Sequence, residues 1–133
     1  MFYFAYGSNL SKKQMQERCP GFKPLYRATL PNYKLVFTGW SRQWWGGVAT
    51  IKASRGDKVK GAVYEGSDKD LQLLDRYEGY PGNYNRMNVI IFDEDGKAIP
   101  AVTYIKAGQI EESEPSKDYA LIIKQGYIDW GML

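Results

Sequence analysis

The stretch Tyr3-Phe4-Ala5-Tyr6-Gly7-Ser8-Asn9-Leu10 constrains this chain more than any other. Its first half has the aromatic, apolar character of a short strand, and it breaks at Gly7-Ser8-Asn9. A polar helix is expected at once, from Ser11 to about Arg18. Ser11 is placed to cap it, Gln14 to complete a capping box, and Leu10 and Met15 fall at staple positions. Pro20-Gly21 ends it. Strand, small-residue turn and helix start aim bare backbone N–H groups, and the positive end of a helix dipole, at one spot. Gly7 lets a ligand approach without a Cβ in the way. An anion, or a group becoming anionic in a transition state, suits such a place. The same three residues are also ordinary turn chemistry.

What can be built around this stretch is bounded by size. A chain of 133 residues is expected to form a single domain, residues 1–133, with a real core. Its 11 Tyr, 5 Phe and 4 Trp suit a β-rich fold with a lined pocket, or any dense small core. Strands are expected at Tyr33 to Phe37, Val48 to Ala53 and Lys58 to Tyr64, with Arg55-Gly56-Asp57 as a turn and Phe22 to Ala28 as a mixed connection. Gly61 suggests a bulge or a close backbone approach. Trp40 to Gly47 reads as an aromatic loop in which Trp44 and Trp45 seal the barrel edge rather than stack on a ligand. Ser67, with Asp70 three residues on, caps a second helix whose stripe is Leu71, Leu74 and Tyr77, ending at Glu78-Gly79. Tyr84 to Phe92 and Ile99 to Lys106 read as a hairpin across Asp93-Glu94-Asp95-Gly96, with Pro100 near an edge. A polar linker covers Gln109 to Pro115. Ser116 caps a last helix, from Lys117 to about Gln125 or on to Tyr127, with Ala120, Ile123 and Tyr127 on its inner face.

Absences narrow the chemistry. With no histidine, Ser-His-Asp and Cys-His engines and His-ligated metal sites are excluded. One cysteine, Cys19, excludes an internal disulfide and a cysteine-cluster zinc site, and with no base beside it Cys19 reads as structural. The apolar opening Met1 to Tyr6 is too short for a signal h-region or a membrane span, so a cytoplasmic protein with no membrane partner is expected. The net charge of +3 is scattered, which gives no reason to expect a nucleic-acid partner. No metal or other cofactor is expected. Acid–base work would fall to a carboxylate, a lysine or a tyrosine.

Glu78 stands out among the acids. A helix C-terminus disfavours a carboxylate, and burial among Tyr77, Gly79 and Tyr80 would add desolvation. Both push the carboxyl toward the range of a general base near neutral pH. An exposed Glu at a fraying helix end is the plainer alternative. Asp93, Glu94 and Asp95, and Glu111, Glu112 and Glu114, read as solvated turn and linker residues. Lys58 and Lys60 share a solvated strand face. Tyr119 either offers a hydroxyl to a ligand or packs in the core.

Taken together these residues resemble the γ-glutamylcyclotransferase family (the AIG2-like superfamily). The likeness is carried by Tyr3 to Leu10, Arg18-Cys19-Pro20, Gly46-Gly47-Val48-Ala49-Thr50-Ile51 and Lys60-Gly61-Ala62-Val63-Tyr64. It continues in Leu74-Asp75-Arg76-Tyr77-Glu78-Gly79 with Tyr84, in Thr103-Tyr104, and in the helix containing Tyr119. The resemblance implies a mixed α+β fold, a small twisted β-barrel surrounded by helices. It implies that Tyr3, Phe4, Ala5, Tyr6, Gly7 and Ser8 form the substrate loop, with Asn9 adjoining it. It also implies that Glu78 is the proton acceptor and that Tyr119 contacts substrate. The expected partner is a small-molecule γ-glutamyl substrate, and a homodimer is compatible with the resemblance.

The family's chemistry explains how a chain without histidine could be an enzyme. A γ-glutamyl amide carries its own nucleophile, the α-amino group, which closes a five-membered ring to 5-oxoproline as the amine departs. The alternative from another class is a non-catalytic binding module. It would hold a γ-glutamyl ligand, or stack a single-stranded nucleic acid or sugar on Trp40, Trp44 and Trp45. The enzyme reading expects a closed acidic pocket; the stacking module expects aromatics along a basic groove.

Overall fold

The computed structural model describes residues 1–108 and 111–133. In chain order its elements are β1 (Phe2–Ala5), a 3₁₀ turn (Ser8–Leu10), α1 (Lys12–Arg18), β2 (Lys23–Ser41), β3 (Gly46–Glu65), α2 (Asp68–Glu78), β4 (Tyr84–Phe92), β5 (Ala98–Lys106) and α3 (Lys117–Asp129). The strands close into a barrel in the order β1-β3-β2-β4-β5. Every neighbouring pair is antiparallel except β5 and β1, which meet in parallel at Tyr3 and Val102. The mixed α+β barrel expected from the resemblance is the fold observed.

The largest departure from the sequence reading is the length of β2 and β3. Phe22 to Ala28 is mostly strand rather than a mixed connection, and Arg55-Gly56-Asp57 does not end a strand. Between the pairs Pro31–Lys58 and Tyr33–Ala53, Asn32 alone faces the four residues Ser54 to Asp57. Asn32 takes a left-handed conformation (φ 64°), and its side chain accepts a hydrogen bond from the Gly56 N–H at 3.1 Å. Turn-type residues here build a bulge inside one ladder, bending the ribbon so that it can wrap into a barrel. A local rule reads the composition of such a segment but not its pairing.

β1 obeys the period of two and is buried on both faces. Phe4 joins a core drawn from all five strands, with Leu30, Ile51, Val63, Ile91 and Ile99, and closed by Tyr119 and Ile123 of α3. Tyr3 and Ala5 face a second core shared with the helices, containing Leu10, Met15, Cys19, Leu71, Leu74 and Trp130. Gly61 lies where a Cβ would strike the Ala5 carbonyl oxygen and the Phe4 ring, which is the close approach its place in a strand suggested.

The helices follow their caps. Ser67 and Asp70 form a full capping box, and Gly79, left-handed at φ 66°, ends α2. Tyr77 is exposed rather than part of the inner stripe. At α1, Ser11 accepts from the Gln14 N–H at 3.2 Å, but the box stays half made, because Gln14 turns its amide toward Ser8 and Asn9. On α3 the buried face is Tyr119, Ile123 and Gly126, with Tyr127 half-buried against both cores; of the expected stripe only Ala120 is exposed. The linker expected at Gln109 to Pro115 begins outside the described residues. Its described part is pinned to the β2–β3 hairpin through Gly39 N–H to Glu111 O and Gly47 N–H to Glu114 O. Among the described residues, no helix is long and apolar enough to cross a membrane.

Candidate active site

The loop after β1 is held from below through its carbonyls. Gly7 O accepts from Leu10 N–H and Ser8 O from Ser11 N–H, both at 3.0 Å. Asn9 O accepts the Tyr64 hydroxyl at 3.0 Å, and Leu10 O the Trp130 indole N–H at 2.8 Å. Every carbonyl from Gly7 to Leu10 is thus occupied, while among the described residues the N–H groups of Gly7, Ser8 and Asn9 have no protein acceptor. That is the polarity expected of a place for an anion. A Cβ on Gly7 would lie 3.1 Å from the Ala49 Cβ and 3.7 Å from the Tyr119 hydroxyl, so only a small residue fits there without displacement.

Glu78 is brought to this loop by the end of α2. One turn earlier, Asp75 is buried and takes a two-pronged ion pair from Arg86 of β4, with Arg86 Nε at 3.0 Å, and a hydrogen bond from the Tyr104 hydroxyl of β5 at 2.6 Å. These bonds fix the last turn of α2 against the barrel, and Gly79 reverses the chain directly after Glu78. Glu78 Oε1 accepts from Asn9 Nδ2 at 3.0 Å. Its carboxyl is pushed up to about 7, first by burial, and the nearby Asp75 adds to that. Arg18, the Asn9 hydrogen bond and Lys106 pull the other way. What surface Glu78 retains opens onto a protein-lined cavity, which hydrates a carboxylate poorly.

The cavity has a volume of about 230 Å³. Tyr3, Tyr6, Gly7, Ser8, Asn9, Glu78 and Tyr119 all line it, so most of the residues singled out from sequence converge on one space. Phe4 and Ala5 do not: both side chains are fully buried in the two cores, and they contribute backbone and packing. The Tyr119 oxygen accepts the Ala49 N–H at 2.9 Å, which leaves the phenolic hydrogen for another acceptor. Burial pushes this hydroxyl up to about 12 and also raises Tyr3, Tyr6, Tyr84 and Tyr104, so these walls stay protonated near neutral pH.

Several lining residues were given no site role in the sequence reading: Arg18 and Tyr84, quoted only for the resemblance, and Arg42, Asn83 and Lys106; Trp44 was named only for the stacking alternative. Arg18 alone carried a local signal, four residues after Gln14 on one face of α1. Lys106 ends β5 and donates to Asn83 Oδ1 at 2.9 Å, a meeting only the barrel produces. With three cations and Glu78 in its wall, the cavity is not the acidic pocket expected. Of the two tryptophans expected to seal the barrel edge, Trp44 packs against the core and Trp45 does not. Trp44 packs on Tyr119 with ring centroids 4.9 Å apart, whereas Trp40 and Trp45 are 67% and 72% exposed and rest edge-on against each other. Trp40 and Trp44 both line the cavity beside this hairpin. Cys19 is buried and its thiol pushed up to about 11 by burial, consistent with a structural role.

Comparison with known proteins places this geometry in a family context. Residues 3–126 match the family model described as "Gamma-glutamyl cyclotransferase, AIG2-like". The chain is 36% identical over 135 aligned positions to the Homo sapiens protein named gamma-glutamylcyclotransferase, covering 98% of this chain and 71% of that one. The Mus musculus protein of the same name is 33% identical with the same coverage. A solved structure described as gamma-glutamyl cyclotransferase superposes with a TM-score of 0.94 at 34% identity, covering 98% of this chain and 80% of the other. The Bacillus subtilis protein YkqA shares the fold at a TM-score of 0.81 and 23% identity, over 98% of this chain and 49% of its own.

Proposed function

This chain belongs to the gamma-glutamyl cyclotransferase, AIG2-like family, and on that premise we propose that it releases 5-oxoproline and a free amine or amino acid from a γ-glutamyl amide, with Glu78 moving the protons. The observation that carries this reading is the placement of Glu78. A carboxyl pushed up to about 7 shares a cavity with the free N–H groups of Gly7 to Asn9 and with the Tyr119 hydroxyl.

The reaction balances without added water or cofactor. The Glu78 carboxylate takes one proton from the substrate α-ammonium. The freed amine attacks the γ-carbonyl carbon, and the ring closes as the carbonyl electrons move onto oxygen. Glu78 returns its proton to the amide nitrogen, the carbonyl re-forms, and the carbon–nitrogen bond breaks. The second proton left on the ring nitrogen then passes to the departing amine, which leaves as an ammonium. Intramolecular attack supplies a high effective concentration, so no serine or cysteine nucleophile is needed. The Gly7 to Asn9 N–H groups suit either the oxyanion or the substrate carboxylate. Arg42 and Lys106 suit the carboxylates that such substrates carry. Tyr119 has a hydroxyl hydrogen to offer.

The test is release of 5-oxoproline from a panel of γ-glutamyl amino acids and γ-glutamylamines by wild type and by Glu78→Gln. Turnover by wild type and its loss in the variant is the expected result. A ligand that raises the melting temperature of both proteins without turnover by either would replace the enzyme reading with a binding one.

A further inference from the structure

Among the described residues the Glu78 carboxylate takes its one side-chain hydrogen bond from Asn9, and a side-chain amide has a near-symmetric shape. Rotation by half a turn exchanges its oxygen and its NH₂ at almost no steric cost, so its neighbours decide which group faces the carboxylate. Here Asn9 is fully engaged. Its NH₂ donates to Glu78 Oε1 and to the Tyr3 hydroxyl, both at 3.0 Å. Its oxygen accepts from Gln14 Nε2 at 3.1 Å and from Arg18 Nη1 at 3.3 Å.

These four partners are not equivalent. A tyrosine hydroxyl and a glutamine amide can each donate or accept. A carboxyl accepts when ionised and donates when protonated. A guanidinium only donates. Arg18 is therefore the one neighbour that requires oxygen on its side. Gln14 supports it, since the NH₂ it gives to Asn9 is also held by Ser8 Oγ at 2.8 Å. Arg18 in turn is steadied over the Tyr77 ring, 5.1 Å from its centroid. We propose that Arg18 and Gln14 are positioning residues for Glu78, acting through Asn9 by holding its amide with the NH₂ group, and not the oxygen, toward the carboxylate.

The chemical consequence follows from the two orientations. With NH₂ toward Glu78, the hydrogen bond favours the carboxylate, the form able to take a proton from substrate. With the oxygen turned toward Glu78, the same 3.0 Å contact would favour the protonated acid, which cannot act as a base. Other groups act on Glu78 from every side: Arg18 from α1, Lys106 from β5, Asp75 from its own helix, and the phenols Tyr3, Tyr6, Tyr84, Tyr104 and Tyr119. Of these, Tyr119 also feels the Arg18 charge and Tyr3 shares the Asn9 amide. Arg18 contributes charge as well as orientation, so the two contributions need separate variants.

This proposal rests on Glu78 being the proton acceptor, and its test has one readout that does not depend on turnover. The side-chain carboxyl ¹³C shift of Glu78, assigned by its loss in Glu78→Gln, is titrated in wild type, Arg18→Gln, Arg18→Lys and Gln14→Leu. Gln14→Leu leaves every charge in place. The Glu78 midpoint is expected to rise by about one pH unit in Arg18→Gln, and by a smaller amount in Gln14→Leu. Arg18→Lys, still donor-only and cationic, should stay near wild type. The acidic limb of kcat/KM should move with each midpoint. Arg18→Gln would then lose about five-fold at pH 7 and recover at pH 9. An unchanged midpoint in both Gln14→Leu and Arg18→Gln overturns the proposal. So does a loss of activity that is uniform with pH, which marks a structural role, or a rise in KM alone, which marks Arg18 as a substrate anchor. A shifted midpoint without any 5-oxoproline release would keep the Asn9 arrangement and discard the proposed reaction.

Discussion

In the proposed reaction Glu78 is a side chain locally disfavoured in its charged form, which suits it to act as a base near neutral pH. Its carboxyl is pushed up to about 7 by burial, and Asn9, Arg18 and Lys106 hold it there rather than higher. If the ionised form is the base, kcat/KM for 5-oxoproline release should fall tenfold per pH unit below about pH 7, which a pH profile between 5 and 9 would show. Glu78→Gln keeps the size of the side chain and its acceptor for Asn9 but cannot take a proton. We expect it to lose on the order of 10²- to 10⁴-fold in kcat, read in the same assay.

At the level of elements, the site depends on how α2 and α3 are seated against the barrel. Asp75 ties α2 to β4 and β5 through Arg86 and Tyr104, one turn before Glu78. Asp75→Asn removes the charge that Arg86 pairs with in a partly buried place. It should cost about 2–3 kcal/mol in denaturant unfolding and weaken turnover by loosening the last turn of α2. Gly126 plays the matching part on α3. A Cβ there would run into Leu10 and lie 2.8 Å from the Ser11 nitrogen. Alanine in an exposed helix would gain about 1 kcal/mol over glycine. Gly126→Ala here should instead cost about 1–3 kcal/mol by overpacking. It should also lower kcat/KM, because the same helix face carries Tyr119. A thermal melt and the product assay on one sample check both effects.

For the molecule as a whole, the displaced Glu78 titration couples the proposed function to stability. Its folded value of about 7 lies above the ordinary 4.5, so between those pH values the native state holds a proton that the unfolded chain has released. Folding is favoured by this group below about pH 4.5, and that contribution is lost as pH rises through 7. The loss amounts to at most about 3.5 kcal/mol. Glu78→Gln should accordingly be more stable than wild type at pH 8, by several degrees in Tm, and nearly equal to it at pH 4. An inactive variant that is more stable only at high pH would be the signature of this trade. Equal Tm values at both pH values would mean that the folded carboxyl is not displaced.

Helix starts and stops were readable from neighbouring residues, because a cap is a contact between positions three or four apart. Ser11, Ser67, Ser116 and Gly79 sit where those rules put them. The break at Gly7 to Asn9 and the helix-end position of Glu78 were equally local. The resemblance to known sequences supplied the barrel, which no spacing rule implies. Strand length was another matter: Asn32 and Gly56 look like turn formers, and only pairing across the barrel makes them a bulge within one ladder. The same holds for the site. Arg18, Lys106, Tyr84 and Trp44 come from α1, β5, β4 and the β2–β3 turn, and no sequence separation brings them together. Burial, charge and hydrogen-bond direction at Glu78 are properties of that assembly, set by through-space neighbours, so tertiary folding decided them.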